Sequence, residues 1–343
     1  MADLKGSSVK NVPREMLAAT YRRKGPAGDV LMIESVPLPD PGPNDVVVRL
    51  SRSGVNPSDV KSRSGMYSME MPFPYVIPHS DGAGVIVAVG TRVESHRVDE
   101  RVWIYNAQWQ RPQGTAAQYV VLPAVQTVPL AEHVSFDAGA CLGIPALTAH
   151  RAVYIDGPLA GKSILVAGGA GAVGRYAIQF AKSAGATVIT TVSSASKAES
   201  ARSAGADVAI DYKKEDVPER IRAATGRSKI DRVIEVDIAS NARLDVEIVE
   251  HGGTIVCYGS GVNDVTLPVR TFIRGDISLR FFLVYQLPDA ARRAAITDID
   301  AMLAQNSLSH NIAARFPLDN IAEAHNAIES GAGPGGNVVL DIP

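Results

Sequence analysis

The segment ILVAGGAGAVG, residues 164–174, constrains the fold more than any other stretch, because an apolar run gives way to glycines and then to helical spacing. Gly169, Gly171 and Gly174 form the pattern G-x-G-x-x-G. Alone this pattern is weak evidence. Between a predicted strand and a predicted helix it is typical of a loop whose backbone N–H groups hold a pyrophosphate at the positive end of the helix. The alternative is a tight turn that binds nothing.

The surrounding sequence supplies that context. From about residue 140 to 275, short β-branched runs alternate with helical patterns, and the predicted strands are KSILVAG, ATVITTVS, DVAIDY, IDRVIEV and TIVCYG. Strands that alternate with helices form βαβ units, which require a parallel sheet covered on both faces. We therefore predict an α/β chain with a doubly wound parallel-sheet domain over residues 139–278.

The rest of the chain has a different texture. Residues 20–135 are rich in Pro and Gly and contain short apolar runs such as DVVVRL, GAGVIVAVG and QYVVLP, which are typical of strands in a barrel-like domain. The carboxyl-terminal part is too short to fold alone. We therefore predict a first domain over residues 1–138 that is completed by residues 279–343.

Composition excludes several classes of partner. The chain of 343 residues carries 34 Lys and Arg against 36 Asp and Glu, and these charges are dispersed, whereas nucleic-acid binding needs clustered cations. No apolar run approaches about eighteen residues, and the amino-terminal segment is mixed polar, so we expect neither a membrane span nor a signal peptide. A cytoplasmic protein is predicted, with Cys141 and Cys257 as reduced packing residues.

The end of the second predicted strand indicates the nucleotide. NAD sites carry Asp or Glu about twenty residues after the glycines, where it accepts a hydrogen bond from the ribose 2′-hydroxyl. Here Thr191, Val192 and Ser193 occupy that place, and Lys197 follows one helical turn later. Small hydroxyls and a cation suit a 2′-phosphate, and Tyr212 at the end of the third strand adds a hydroxyl donor. The cofactor is therefore predicted to be NADPH.

Several segments together resemble the medium-chain dehydrogenase/reductase superfamily, and within it the zinc-free quinone oxidoreductase branch that contains zeta-crystallin. They run in family order over nearly the whole chain: GVNPSDVKSRSGMY, PYVIPHSDGAGVIVAVG, GIPALTAHRAV, AGGAGAVG, AGADVAIDY, GGTIVCYGS and AEAHNAIESG. The resemblance implies a GroES-like β-barrel catalytic domain, a Rossmann NADPH-binding domain, and a cleft between them for nicotinamide and substrate.

The same resemblance bears on metal binding. Zinc-dependent relatives carry Cys where this chain has Asn56, and a Gly-His-Glu where it has His79, Ser80 and Asp81. His79 thus falls on the Gly position, and the four structural cysteines of those relatives are missing, so no metal is expected. An enzyme without a Lewis acid needs an electrophilic acceptor, which favours a quinone or an α,β-unsaturated carbonyl.

The resemblance also implies the site residues. Asn56, Lys61 and Thr148 are expected near the nicotinamide and its ribose, and the segment from Ala170 through Gly171 and Ala172 to Val173 is expected at the pyrophosphate. Ser193, Lys197 and Tyr212 are assigned to the adenosine phosphate. The remaining cofactor positions are Tyr258, Gly259, Ser260, Phe282, Leu283 and Asn337, the last standing where the family has Lys. His150 replaces a family Tyr, and a packing role is favoured for it.

Tyr67 has two candidate roles. It matches a Tyr that donates a proton in enoyl-thioester reductases, yet many quinone reductases carry one there that only lines the pocket. Accordingly, three functions stay open. The first is an NADPH:quinone oxidoreductase of the EC 1.6.5 class, the second a reductase of activated double bonds, and the third a nucleotide-binding protein with little turnover. The resemblance implies a homodimer or homotetramer through an edge strand near ISLRFFLVY.

Overall fold

A computed structural model describes residues 12–331 and 335–343, which divide into two compact units. The first unit contains the described residues through Ile144, those from Ile312 to residue 331, and Asn337–Pro343. The second contains Pro145–Asn311 together with Gly335 and Gly336. Within the described ranges, no helix has the length and apolar character that crossing a bilayer requires.

The described residues form fifteen strands and eleven α-helices, numbered in chain order. The strands are β1 (Glu15–Thr20), β2 (Met32–Pro37), β3 (Asp45–Val55), β4 (Asp81–Val89), β5 (Arg101–Ile104), β6 (Tyr119–Pro123), β7 (Thr127–Pro129), β8 (Ser163–Val166), β9 (Thr187–Val192), β10 (Val208–Asp211), β11 (Ile230–Glu235), β12 (Val249–Cys257), β13 (Ser278–Phe281), β14 (Ile312–Pro317) and β15 (Asn337–Asp341). The helices are α1 (Ala27–Val30), α2 (Pro57–Ser64), α3 (Phe136–Gly139), α4 (Leu147–Tyr154), α5 (Ala172–Ser183), α6 (Ala195–Ser203), α7 (Val217–Thr225), α8 (Ile238–Ile248), α9 (Val269–Gly275), α10 (Asp289–Ala304) and α11 (Ile321–Ser330).

The first unit is built on a mainly antiparallel sheet of seven strands in the order β14-β15-β3-β4-β5-β7, with β6 also paired to β3. Buried and partly exposed residues alternate along β6 and along the second half of β4, as expected for strands that bury one face. The core beneath them includes Val48, Ile86 and Leu122, joined by Ile321 of α11. This unit is the GroES-like barrel domain.

The second unit is built on a six-stranded parallel sheet in the order β10-β9-β8-β11-β12-β13. The central strand β8, SILV, is buried at every position, as parallel strands covered on both faces are. The chain runs outward from β8 first to one edge and then to the other. The switch point therefore lies beside β8, where doubly wound sheets bind their ligands. The predicted Rossmann fold is confirmed.

Residues 279–311 belong to this second unit, whereas the sequence assigned them to the first domain. The physical reason is backbone pairing, since β13 joins the parallel sheet beside β12, with Phe281 opposite Cys257. Helix α10 then packs against α4. Only the chain from Ile312 onward returns to the barrel, where β15 pairs with β3.

Candidate functional site

The glycine-rich loop links β8 to α5, and two of its glycines are required by packing. A methyl group at Gly169 would place its carbon 2.0 Å from Thr190 Oγ1 on β9, and one at Gly174 would lie 2.3 Å from the Gly168 carbonyl oxygen. Gly168 itself has a φ of +67°, a conformation that side chains disfavour. The loop therefore packs closely against the sheet and against its own helix.

Gly171 is different, because protein packing does not require it. Its φ is −72°, and a methyl carbon there would meet only the Gly168 carbonyl oxygen, at 3.2 Å. As the N-cap of α5, Gly171 has no side chain to accept from the N–H groups of the first helical turn. The predicted segment from Ala170 to Val173 thus begins a helix whose N-cap has no side chain in front of its first N–H groups, which fits a pyrophosphate.

A second glycine segment lies against this cradle. Gly335 has a φ of +84°, and a methyl carbon on it would lie 2.5 Å from the Ala170 carbonyl oxygen. Asn311 donates from Nδ2 to the Gly335 carbonyl at 3.0 Å. Asn337, two residues further on, is buried on β15 of the first unit. The sequence did not identify Asn311 as a neighbour of the cradle.

The predicted 2′-phosphate residues follow two neighbouring strands of the parallel sheet. Strands β9 and β10 pair in parallel and end together, with Asp211 opposite Val192, and the Tyr212 N–H donates to the Val192 carbonyl at 3.1 Å. Ser193 follows β9, and Lys197 lies in the first turn of α6. Both are partly exposed, and Tyr212 is exposed.

Thr191 is committed elsewhere. Its Oγ1 accepts from the Gly168 N–H at 3.3 Å, so the residue at the usual acid position supports the glycine loop.

The residues assigned to the nicotinamide end follow β12 and β13. Tyr258 donates its N–H to the Glu235 carbonyl at 3.1 Å, and Gly259 is so close to β11 that a methyl carbon would lie 2.3 Å from the Val236 carbonyl oxygen. Burial raises the pKa of Tyr258, which keeps its phenol protonated. Tyr258, Gly259, Ser260 and Phe282 are partly exposed and Leu283 is exposed, whereas Thr148 is buried on α4.

In the first unit, Asn56 is held by two carboxyl groups. Its N–H donates to Asp59 Oδ2 at 2.8 Å, which anchors the start of α2, and its Nδ2 donates to Asp81 Oδ2 at 2.8 Å. The Ile144 N–H donates to both Asp81 oxygens, at 2.8 and 2.9 Å. Burial raises the pKa of Asp59 to about 7 and that of Asp81 well above its usual range. The Asn56 amide therefore presents its NH₂ edge to Asp81.

His79 is buried beside this cluster, and both of its ring nitrogens are engaged. Nδ1 shares a hydrogen bond of 2.8 Å with Ser53 Oγ, and Nε2 shares one of 2.9 Å with Nε2 of His325 on α11. Burial lowers the pKa of His79 well below its usual value, so the imidazole is neutral. Among the described residues, no three His, Cys, Asp or Glu side chains gather closely enough to hold a metal ion.

The remaining predicted residues occupy varied environments. Lys61 lies partly exposed on α2, and Tyr67 follows the left-handed Gly65 that ends this helix, with 59% of its surface exposed. Partial burial of the phenol and the Asp59 carboxyl raise the pKa of Tyr67. His150 is buried, contacts Phe180 edge-on and shares a hydrogen bond of 2.8 Å with Asp298 Oδ2.

Sequence reasoning missed the partners of Asn56. Asp59 had a readable signal, because Asn56, Pro57 and Asp59 have the spacing of a capping box with Pro at the first helical position. No sequence pattern predicts the contact with Asp81, since Asp81 lies 25 residues away and meets Asn56 only through the pairing of β3 with β4.

Comparison with known proteins supports the resemblance seen in the sequence. Residues 42–132 match the alcohol dehydrogenase GroES-like domain, and residues 172–301 match the zinc-binding dehydrogenase domain. Human quinone oxidoreductase is 29% identical over 314 residues, covering 91% of this chain and 94% of the relative. The 2-methylene-furan-3-one reductase of Solanum lycopersicum is 33% identical over 260 residues, covering 73% of this chain and 64% of the relative.

Solved structures agree over almost the full length. The crystal structure of an NAD-dependent alcohol dehydrogenase superposes with a TM-score of 0.87 at 29% identity, covering 96% of this chain and 100% of the other. A mycobacterial protein in complex with NADPH superposes with a TM-score of 0.85 at 26% identity, covering 95% and 99%. The chain therefore belongs to the quinone oxidoreductase, zeta-crystallin-like branch of the medium-chain dehydrogenase/reductase superfamily.

Proposed function

We propose that this oxidoreductase uses NADPH and, without zinc, reduces small quinones. One observation carries the proposal: Ser193 follows β9 where NAD sites bear an acid, and the cation Lys197 lies one helical turn later, at the start of α6. Similar structures include both an NAD-dependent enzyme and an NADPH complex. The fold therefore does not choose the cofactor, and the choice rests on these side chains.

Each group of residues has a distinct task. The first N–H groups of α5 hold the pyrophosphate, and Ser193, Lys197 and Tyr212 hold the 2′-phosphate through charge-assisted hydrogen bonds. NADPH, when bound, supplies the hydride. The residues that orient the nicotinamide and its ribose are Asn56, Lys61, Thr148, Tyr258, Gly259, Ser260, Phe282, Leu283 and Asn337. Tyr67 lines the acceptor pocket.

The proposed reaction needs little acid–base catalysis from the protein. Both nitrogens of His79 and the amide of Asn56 are already occupied by neighbouring side chains, so these residues offer a rigid frame instead of metal ligands. Rate enhancement then comes from orientation of the nicotinamide against an acceptor that is electrophilic by itself. Quinones and activated alkenes meet that requirement.

Cofactor titration tests the nucleotide assignment. We expect NADPH to bind at least about tenfold more tightly than NADH, because a charge-assisted hydrogen bond contributes about 1.5–3 kcal/mol. Lys197→Ala should weaken the binding of NADPH about tenfold and leave the affinity for NADH unchanged. Lys162→Ala, at the opposite end of β8, is the matched control. Equal affinity for both nucleotides in the wild type would show that the 2′-phosphate site is assigned wrongly.

The acceptor is tested separately. A reductase of activated double bonds is the second candidate, because the 2-methylene-furan-3-one reductase of tomato is among the relatives. Steady-state rates with NADPH should be measured for a panel of quinones and enals, using the wild type and Tyr67→Phe. Quinone turnover reduced less than about threefold by Tyr67→Phe supports pocket lining. A hundredfold loss with enals would identify a proton donor and favour the second candidate. No turnover with any acceptor would favour a nucleotide-binding protein.

We further propose that the protein works in the cytoplasm on a small-molecule acceptor, as a homodimer or homotetramer. Its two cysteines are free and buried, in keeping with a reducing compartment.

A further inference from the structure

Two buried acids lie at the carboxyl end of β11. Glu235 is the last residue of the strand, Asp245 lies on α8, and both side chains are fully buried. Glu235 Oε1 accepts from the N–H of Asp237 and, at 3.0 Å, from Asn241 Nδ2. Within the part of the chain that the structure describes, Glu235 Oε2 and both Asp245 oxygens receive no donor. The two side chains lie within hydrogen-bond reach of each other, so a proton between them gives one oxygen of each a partner.

Such a pair is stable only with a proton on it. Two carboxylates are both acceptors, and a buried carboxylate without a donor is strongly destabilising. One proton converts the contact into a hydrogen bond between the two side chains. Burial and the neighbouring Glu235 raise the pKa of Asp245 to about 9, and burial raises the pKa of Glu235 as well. The pair therefore holds one proton at neutral pH.

The pair anchors the turn between β11 and α8. Val236, in this turn, places its Cγ1 3.5 Å from the position a methyl carbon would take on Gly168 of the glycine-rich loop. Its carbonyl oxygen lies 2.3 Å from the position a methyl carbon would take on Gly259, in the segment assigned to the nicotinamide. Asp237 accepts from the Gly261 N–H at 2.8 Å and from Ser240 Oγ at 2.7 Å. The turn thus touches both segments proposed to face the dinucleotide.

We infer that Glu235 and Asp245 are positioning residues, whose shared proton fixes the β11–α8 turn against the two dinucleotide-binding segments and so contributes to cofactor affinity. This inference rests on the proposed function. The titratable groups that face the pair are Cys257 on β12, Tyr258 after it, and Asp237 in the turn. Burial raises the pKa of Cys257 to about 11 and that of Tyr258 too, so both are uncharged where the pair titrates.

Nucleotide binding by matched variants tests the positioning role. Asp245→Asn keeps an N–H donor for Glu235 Oε2, so the Kd for NADPH at pH 7.5 should stay within about twofold of the wild type. Asp245→Leu leaves the Glu235 carboxylate buried alone and should raise this Kd and the KM for NADPH about tenfold, with kcat changed less than about twofold. Glu247→Gln, exposed on the same helix, is the control. A folded Asp245→Leu that binds NADPH like the wild type overturns the role.

A second variant covers the case in which Asp245→Leu does not fold. In Glu235→Gln the amide oxygen still accepts from Asp237 and Asn241, while its NH₂ group donates to Asp245 without a shared proton. Between pH 7.5 and pH 10 the wild-type Kd should therefore rise at least about threefold more than that of Glu235→Gln. Parallel pH profiles would contradict the inference.

Thermal unfolding gives a readout that needs no nucleotide. Where folding raises the pKa of an acid, the free energy of unfolding falls as pH rises from the pKa in the unfolded chain to the pKa in the folded protein. The wild-type protein should therefore lose stability progressively up to about pH 9 through Asp245, and the Asp245→Asn variant should not. The Tm of Asp245→Asn minus that of the wild type should increase by about 5 °C from pH 6 to pH 8.5. A difference that stays constant would exclude the shared proton. Wild-type protein that binds no NADPH would overturn the proposed function and the positioning role, while the Tm gap would still decide the protonation.

Discussion

At the scale of single residues, the glycines of the 168–174 loop divide into those that the protein needs and one that it does not. Gly169 and Gly174 leave no room for a methyl group, because side-chain or backbone atoms lie within 2.0–2.3 Å of where its carbon would be. At Gly171 a methyl carbon would meet only the Gly168 carbonyl oxygen, at 3.2 Å, a contact that a small shift relieves. The same sequence motif therefore combines two physical requirements, close packing and approach of a ligand.

Alanine at these positions should separate the two requirements. Gly174→Ala forces the methyl carbon against a backbone carbonyl, and we expect a loss of about 3 kcal/mol in the free energy of unfolding. Gly171→Ala should cost only about 1 kcal/mol at this N-cap, yet weaken NADPH at least about tenfold. Urea unfolding and fluorescence titration measure the two effects. If Gly171→Ala kept full affinity for NADPH, the cradle would not bind the pyrophosphate.

Single residues also show where sequence reasoning stops. The glycine pattern and the missing acid after β9 can be read from the sequence because they lie within one βαβ unit, where the separation along the chain determines which residues are neighbours. The contact of Asn56 with Asp81 and that of Glu235 with Asp245 were not visible. Each joins two elements whose pairing is set by tertiary packing, and a lone buried Asp has no periodic signature.

At the scale of elements, a pair of neutral histidines joins α11 to the start of β4. His79 adopts a φ of +77°, which is costly for a residue with a side chain, so the surrounding contacts must hold it there. The ring of His325 stacks on it with 5.1 Å between centroids. Burial lowers the pKa of His325 to about 3 and that of His79 well below its ordinary value.

These histidines should make the protein sensitive to acid. A histidine whose pKa is lowered by folding takes up its proton more readily in the unfolded chain, so stability is lost as pH falls from about 6.5 toward 3. Each such group contributes at most about 1.4 kcal/mol per pH unit. His325→Gln should therefore reduce the slope of unfolding free energy between pH 7 and pH 5 by about one such contribution.

The comparison needs a histidine that is not buried. His96→Gln is suitable, because His96 is exposed on the same unit. Urea midpoints at several pH values would be measured for the wild type and both variants. A slope that is the same in all three would mean that His325 takes up a proton in the folded protein.

Strand pairing also explains why the sequence assigned residues 279–311 to the wrong domain. The run ISLRFFLVY was recognised as strand-like, but no local pattern tells which sheet a strand will join. Its β13 portion extends the parallel sheet beside β12, and α10 follows it onto α4. Strand existence is thus readable from composition, while strand partners depend on contacts distant in sequence.

At the scale of the whole molecule, the free edge of the parallel sheet is the strongest candidate for self-association. Among the described residues, β13 and β10 are the two edge strands of this sheet, and large apolar side chains are exposed on and near β13. Phe281 is 61% exposed, and Ile273 on the preceding helix is 74% exposed. An unpaired apolar edge is a template for another strand, and proteins that stay monomeric protect such edges with charge or cover.

We therefore expect the sheet to continue into a second copy of the chain, with the two β13 strands side by side. Phe281→Lys places a charge at this edge and should convert the dimer into a monomer at micromolar concentration, because one lysine there must lose its hydration on association. Val125→Lys removes an even more exposed apolar side chain, at 77%, from the other unit and should leave the mass unchanged. Sedimentation equilibrium measures both. If the wild type sediments as a monomer, or if Phe281→Lys still sediments as a dimer, another surface must account for any assembly. A wild-type tetramer that Phe281→Lys reduces to a dimer would show that β13 forms one of two interfaces.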